Sequence, residues 1–125
     1  MVDAATPLIV SVVAFLFLAT VFGGVAVMLR SGRIGRNNAI GIRTAATLSS
    51  DEAWTVGHKA GGRWVTASAV ASGVATLVGV VVLAVMGLEP SEAVTAVVIL
   101  GGFGVTIAFL VIAGVVANGA ARAVR

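Results

Sequence analysis

Residues 65–94 read VTASAVASGVATLVGVVVLAVMGLEPSEAV. The run from Val65 to Met86 contains no Asp, Glu, Lys or Arg. It exceeds the roughly 20 apolar residues that a bilayer-spanning helix needs. Gly87 suits a helix C-terminus, where a left-handed residue lets the last carbonyls be satisfied. Glu89, Pro90, Ser91 and Glu92 suit the opening turn of a following helix, because acids there complement the helix dipole. A second apolar run continues over about 94–117. The joint is only a few residues long, so the two runs are expected to form an antiparallel hairpin.

A third apolar run lies upstream, from Leu8 to Leu29, behind the Thr6-Pro7 pair that reads as a cap followed by proline at the first helical position. The residues before it carry Asp3 and no base, and the apolar run is long. Signal peptides have the opposite features, so this span is expected to be retained. Composition agrees with three spans. Hydrophobic residues make up 59% of the 125, charged residues only 10%, and mean hydropathy is +1.13. A soluble domain carries about a quarter charged residues. The expected fold class is an all-α integral membrane protein. Its single domain, 1–125, holds three transmembrane helices and an ordered cytoplasmic loop over 30–64 containing a short amphipathic helix. Cys and Tyr are absent, which excludes disulfides, thiol chemistry and a tyrosine acid.

Charge sets the expected orientation. Arg30, Arg33, Arg36, Arg43, Lys59 and Arg63 lie between the first two spans, and Arg122 and Arg125 close the chain. The N-terminal segment offers only Asp3, and the hairpin joint only Glu89 and Glu92. Lys and Arg stay on the cytoplasmic side of a membrane. The N-terminus and hairpin joint are therefore expected outside, with the loop and C-terminus in the cytoplasm. The pI of about 11.2 follows from this rule, so no nucleic-acid partner is expected. Membrane lipids are, with anionic headgroups beside Arg33, Arg36 and Arg43. The Arg-, Ala-, Val- and Gly-rich composition suggests a GC-rich bacterial genome.

The loop, RSGRIGRNNAIGIRTAATLSSDEAWTVGHKAGGRW over 30–64, is too long for a plain connection. Its first half is rich in turn formers: Gly32, Gly35, Asn37, Asn38 and Gly41. It matches neither a P-loop nor a dinucleotide fingerprint. In the second half, Ser49 and Glu52 match a capping box ahead of a helix over about Ser50–Ala60. Gly61-Gly62 either break that helix or let it run on into the second span. At about 100° per residue, Asp51, Trp54, His58 and Gly61 share one face, and Glu52, Lys59 and Arg63 the other. Such a helix can lie at the membrane interface, where Trp54 and Trp64 would sit.

His58 is the sole His. Asp51 is two turns away, roughly 10 Å by helix rise, too far for a direct hydrogen bond. With no Cys, a metal site lacks ligands. The residues therefore point to no catalytic, cofactor or metal site, and to a structural His58 bonded to backbone and packed on Trp54. Arg43 carries five donors, and Asp51 or Glu52 is the nearest carboxylate for it.

The ordered string Asn38, Ile40-Gly41-Ile42-Arg43-Thr44, Thr47-Leu48, Trp54, His58 and Gly61 resembles the signature of the SdpI family of small bacterial multipass membrane proteins. The resemblance covers roughly Val21–Met86. It implies that Asn38, Arg43, Thr44, Trp54 and His58 occupy the family's motif positions, and with Gly41, Thr47 and Asp51 they make up the candidate motif or interaction site. It also implies a non-catalytic role in resistance to, or sensing of, a secreted toxic peptide at the bacterial cytoplasmic membrane.

The spans hold no ionisable residue, which argues against a proton-coupled transporter. They do hold small-residue pairs: Ala69 with Gly73, Ala75 with Gly79, and Gly104 with Ala108. These allow close helix approach, within the chain, to further copies or to a larger complex. The alternative function is accordingly a small accessory subunit of a respiratory or envelope assembly.

Overall fold

The computed structural model describes residues 3–124. Arg125, one of the two C-terminal bases, lies outside the described residues. The chain forms three long helices and no strand among those residues: α1 (Thr6–Arg30), α2 (Asp51–Met86) and α3 (Glu92–Ala123), with a 3-10 turn at Thr47–Ser49. All three are long and apolar enough to cross a membrane.

Local chemistry sets the ends. Thr6 does not cap α1: the helix begins after Ala5 without a side-chain cap, and Asp3 Oδ1 accepts from the Ala5 and Thr6 backbone N–H at 3.1 and 3.0 Å. Ser50 caps α2 by accepting from Ala53 N–H at 3.0 Å. The capping box expected from Ser49 and Glu52 does not form: the cap lies one residue later, and Ser49 Oγ instead donates to the Ala46 carbonyl at 2.6 Å. Gly87 ends α2 with φ 65°, and Ser91 caps α3 by accepting from Val94 N–H at 3.2 Å.

The short amphipathic helix is not a separate element. It is the first part of α2, which runs through Gly61-Gly62 without a break. A helical glycine costs about 1 kcal/mol relative to alanine, and tertiary packing here outweighs that. The buried face of α2 is one stripe as far as Gly79: Trp54, His58, Gly61, Val65, Ser68, Ser72, Ala75 and Gly79. A Cβ on Gly57 or Gly61 would stand 3.0 or 2.9 Å from the backbone carbonyl oxygens of Ala117 and Ala113 on α3. Glycine there lets the two backbones approach. Of the small pairs named above, Ala75 and Gly79 pack inward, while Gly73 and Gly104 face open space.

α2 lies centrally, with α1 on one side and α3 on the other. Leu8, Phe15, Ala75 and Val98 form the core at the hairpin end. Ala26, Val65 and Ala113 continue it, and Ala46, Ala53 and Ala121 close it at the loop end. Phe15 and Phe103 join α1 to α3 with ring centroids 4.5 Å apart. The loop and the end of α3 therefore share one end of the bundle, and the start of α1 and the hairpin joint the other. The outer faces are apolar all round, with Phe17, Leu77 and Leu100 65–73% exposed. Helices hydrophobic on every side belong in a core or in a bilayer.

Candidate functional site

The loop folds back over the first three turns of α2 as a compact cap. Trp54 and His58 lie one turn apart and stack with ring centroids 4.0 Å apart. Both are buried. Trp54 Nε1–H donates to the Ile34 carbonyl at 2.9 Å. His58 Nε2 accepts from the Ile42 backbone N–H at 2.8 Å. Its Nδ1 lies 2.8 Å from the Trp54 carbonyl oxygen. An N–H can only donate and a carbonyl can only accept, so the partners assign the neutral imidazole with its proton on Nδ1. Burial lowers the His58 pKa from its ordinary value, partly offset by the bond to the Trp54 carbonyl.

Gly41 makes this contact possible. Its φ is 121°, and a Cβ there would fall 2.7 Å from His58 Nε2 and 2.9 Å from the Trp54 ring. Side chains disfavour that backbone region, and the space is already filled. Thr44 and Thr47 form the next layer. Thr47 Oγ1 donates to the Ile42 carbonyl at 2.8 Å and accepts from Thr44 N–H at 2.9 Å. Thr44 Oγ1 accepts from Thr47 N–H at 3.1 Å. Thr47 is fully buried, so these bonds satisfy a hydroxyl that has no water.

The arginines and asparagines are placed differently from expectation. Arg43 is exposed and donates through Nε to the Asn37 carbonyl at 3.2 Å, not to Asp51 or Glu52. Asp51 pairs with Arg36 at 3.4 Å, and Arg36 also donates to the Leu48 carbonyl at 3.0 Å. Asp51 is exposed in the first turn of α2, off the face that Trp54 and His58 bury. Asn38 is exposed, whereas its neighbour Asn37 organises the turn. Asn37 Oδ1 accepts from the Ala39 and Ile40 N–H, and Nδ2 donates to the Gly35 and Ile40 carbonyls. An asparagine bonding backbone two or three residues on is ordinary turn chemistry, and that signal marks Asn37 as readily as Asn38. Trp54 is covered by the loop, and its helix is the first part of the continuous α2. Gly57 packs beneath the cap against Thr47 and Ala117, a contact that the sequence alone did not single out; its four-residue spacing to Gly61 was the available signal.

No group of three or more His, Cys, Asp or Glu side chains is placed to hold a metal ion among the described residues. Both His58 nitrogens are engaged by backbone groups.

Comparison with curated proteins and with solved structures gives no match. A family model does match, over residues 33–118. The matched region takes in the whole cap from Arg33, all of α2 and most of α3, and leaves out α1. It thus starts later than the resemblance at Val21 suggested, and extends through the third span. Spanning well over half of the chain, and centred on the cap just described, this match shows that the chain belongs to the SdpI/YfhL protein family of membrane proteins.

Proposed function

We propose that this protein acts by binding, not by catalysis, in resistance to or sensing of a secreted peptide at the bacterial cytoplasmic membrane. The observation that carries the reading is the bonding of His58: its two nitrogens hold Ile42 N–H and the Trp54 carbonyl. The motif's most reactive side chain therefore builds the cap. Gly41, Thr44, Thr47 and Trp54 do the same. The cap then presents Arg33, Asn38, Ile40 and Arg43 outward as its contact surface. The N-terminus and hairpin joint face outside, and the cap faces the cytoplasm, in line with the positive-inside rule.

The test is survival of a sensitive bacterium exposed to secreted peptide toxins, with and without this protein. Wild type should raise survival, and Gly41→Leu, which opens the cap, should not. No protection by a wild-type chain that accumulates normally in the membrane would overturn the reading.

A second reading has its own observation. Between α2 and α3 runs an almost wholly apolar groove of about 560 Å³, lined by Val74, Val78, Gly101 and Val105 among others. Gly73, Gly101 and Gly104 leave open space on the outer faces. Small residues admit a partner helix, as a subunit of a larger membrane complex would require. Native purification that recovers a stoichiometric partner supports this reading, and a monodisperse small oligomer opposes it.

A further inference from the structure

At the loop end of the bundle, beside the cap, α1, α2 and the start of the loop line a cleft of about 450 Å³. Three cations line it: Arg30, Lys59 and Arg63. No carboxylate does, and the one ion pair among the described residues joins Arg36 to Asp51 elsewhere. Leu29, Ile34 and Trp54 give it apolar walls, and Thr55 and His58 add polar ones. Three unneutralised cations over apolar walls favour an anionic ligand with an apolar part.

The cleft does not end there. A second hollow of about 310 Å³ is lined by Gly23, Ala26, Val27, Thr66, Ala69 and Val70, and shares Arg30 with the first. On α2, positions 59, 62, 63, 66, 69 and 70 recur at three- and four-residue steps, so they form one continuous helical face. On α1, positions 23, 26, 27 and 30 do the same. The two hollows are therefore successive parts of one seam, cationic above and apolar below. Arg30 closes the apolar run of α1, and Arg63 stands just before that of α2. The cations thus sit where the membrane-facing apolar surface ends, at the depth of lipid headgroups.

We infer that the α1–α2 seam is a binding site for one anionic phospholipid, its phosphate held by Arg30, Lys59 and Arg63 and one acyl chain lying along Gly23, Ala26, Thr66 and Ala69. Arg36 and Arg43 are turned toward the loop's own carbonyls, whereas Arg30, Lys59 and Arg63 converge on one cleft, which is why the headgroup is assigned there. Gly23 has nothing within 4 Å of where its Cβ would be, which leaves the seam open for a chain.

The experiment is native mass spectrometry of the full chain released from vesicles of equimolar dioleoylphosphatidylglycerol and dioleoylphosphatidylcholine. One phosphatidylglycerol should stay bound in preference to phosphatidylcholine. Each Lys or Arg near an anionic surface contributes about fivefold, so Lys59→Gln with Arg63→Gln should lower retention by on the order of 25-fold. Arg43→Gln with Arg122→Gln makes the same charge change at residues that do not line the cleft and should leave retention within about twofold, since exposed charges beyond it are screened. Gly23→Leu keeps every cation and fills the apolar part of the seam; it should also lower retention. Helicity by circular dichroism confirms that each variant is folded. Equal loss in both charge-removal pairs would overturn the site, as would equal retention of the two lipids. Full displacement by millimolar inorganic phosphate, or retention unchanged in Gly23→Leu, would reduce it to an anion site without a chain and overturn the lipid assignment.

Discussion

His58 Nε2 accepts the backbone N–H of Ile42 at 2.8 Å, across sixteen positions of sequence. This bond fastens the loop to α2. It requires the neutral ring, since protonation at Nε2 would set a donor against a donor.

The first consequence is a pH dependence of stability. Burial lowers the His58 pKa in the folded state below its unfolded value near 6.5. The unfolded chain then binds the proton more readily, so protonation favours unfolding. The contribution of His58 is fully present above the unfolded pKa and is lost as pH falls from there toward the folded pKa. Thermal unfolding in detergent should show a midpoint that is flat above about pH 7.5 and falls below about pH 6.5. His58→Gln should lose this slope while keeping an acceptor for Ile42. It should preserve function between about pH 6 and 8, a range that brackets the ordinary histidine pKa. A Gln variant that folds and inserts normally yet loses all function would show that the imidazole does chemistry.

Gly41→Ala should destabilise the cap by about 1–3 kcal/mol, because the Cβ meets His58 and Trp54 and φ is positive. Gly32→Ala is the comparison: φ is 67° with open space, so only the backbone cost of roughly 1 kcal/mol applies. Hydrogen exchange of the Ile42 amide reads the difference. Equal protection in both variants would mean that the loop is not held by this contact.

Gly61→Val places side-chain atoms against the Ala113 carbonyl and Ala117. The α2–α3 contact should open at its loop end, at a cost of about 1–3 kcal/mol for overpacking. Gly73→Val meets nothing within the chain and should leave unfolding unchanged. Cross-linking yield between cysteines introduced at Gly57 and Ala121 reports the separation directly.

Asp51→Asn breaks the pair with Arg36, but Asp51 is largely exposed. An exposed pair contributes about 0–1 kcal/mol, and salt reduces it further. Arg43→Ala should be similarly mild, because its partner carbonyl and its own head are both open to water. Denaturation midpoints at low and high salt test both. A loss comparable to Gly41→Ala at either position would mark it as a contact residue for a partner.

Reporter fusions placed after Gly87 should read as external, and fusions at the C-terminus as cytoplasmic, from the clustering of basic residues between Arg30 and Arg63. The reverse pattern at both sites would invert the orientation.

Much of this architecture is written in composition and periodicity. Runs without charge at 8–29, 65–86 and 94–117 allow only helices in a bilayer, since every backbone group must be satisfied within the segment. Gly87 and Ser91 mark a hairpin because caps act on neighbouring residues. The stack of Trp54 on His58 follows from their one-turn spacing. What only the tertiary structure decided is which distant groups meet. Trp54 reaches the Ile34 carbonyl across twenty positions, and Arg36 rather than Arg43 takes Asp51. Whether Gly61-Gly62 would break α2 was equally open, because a glycine's local cost is small and the answer lay with Ala113 and Ala117 on another helix. Local propensity acts over a turn or two. The cap and the cationic seam depend on how a flexible loop and two helices pack, and no pattern along the chain encodes that distance.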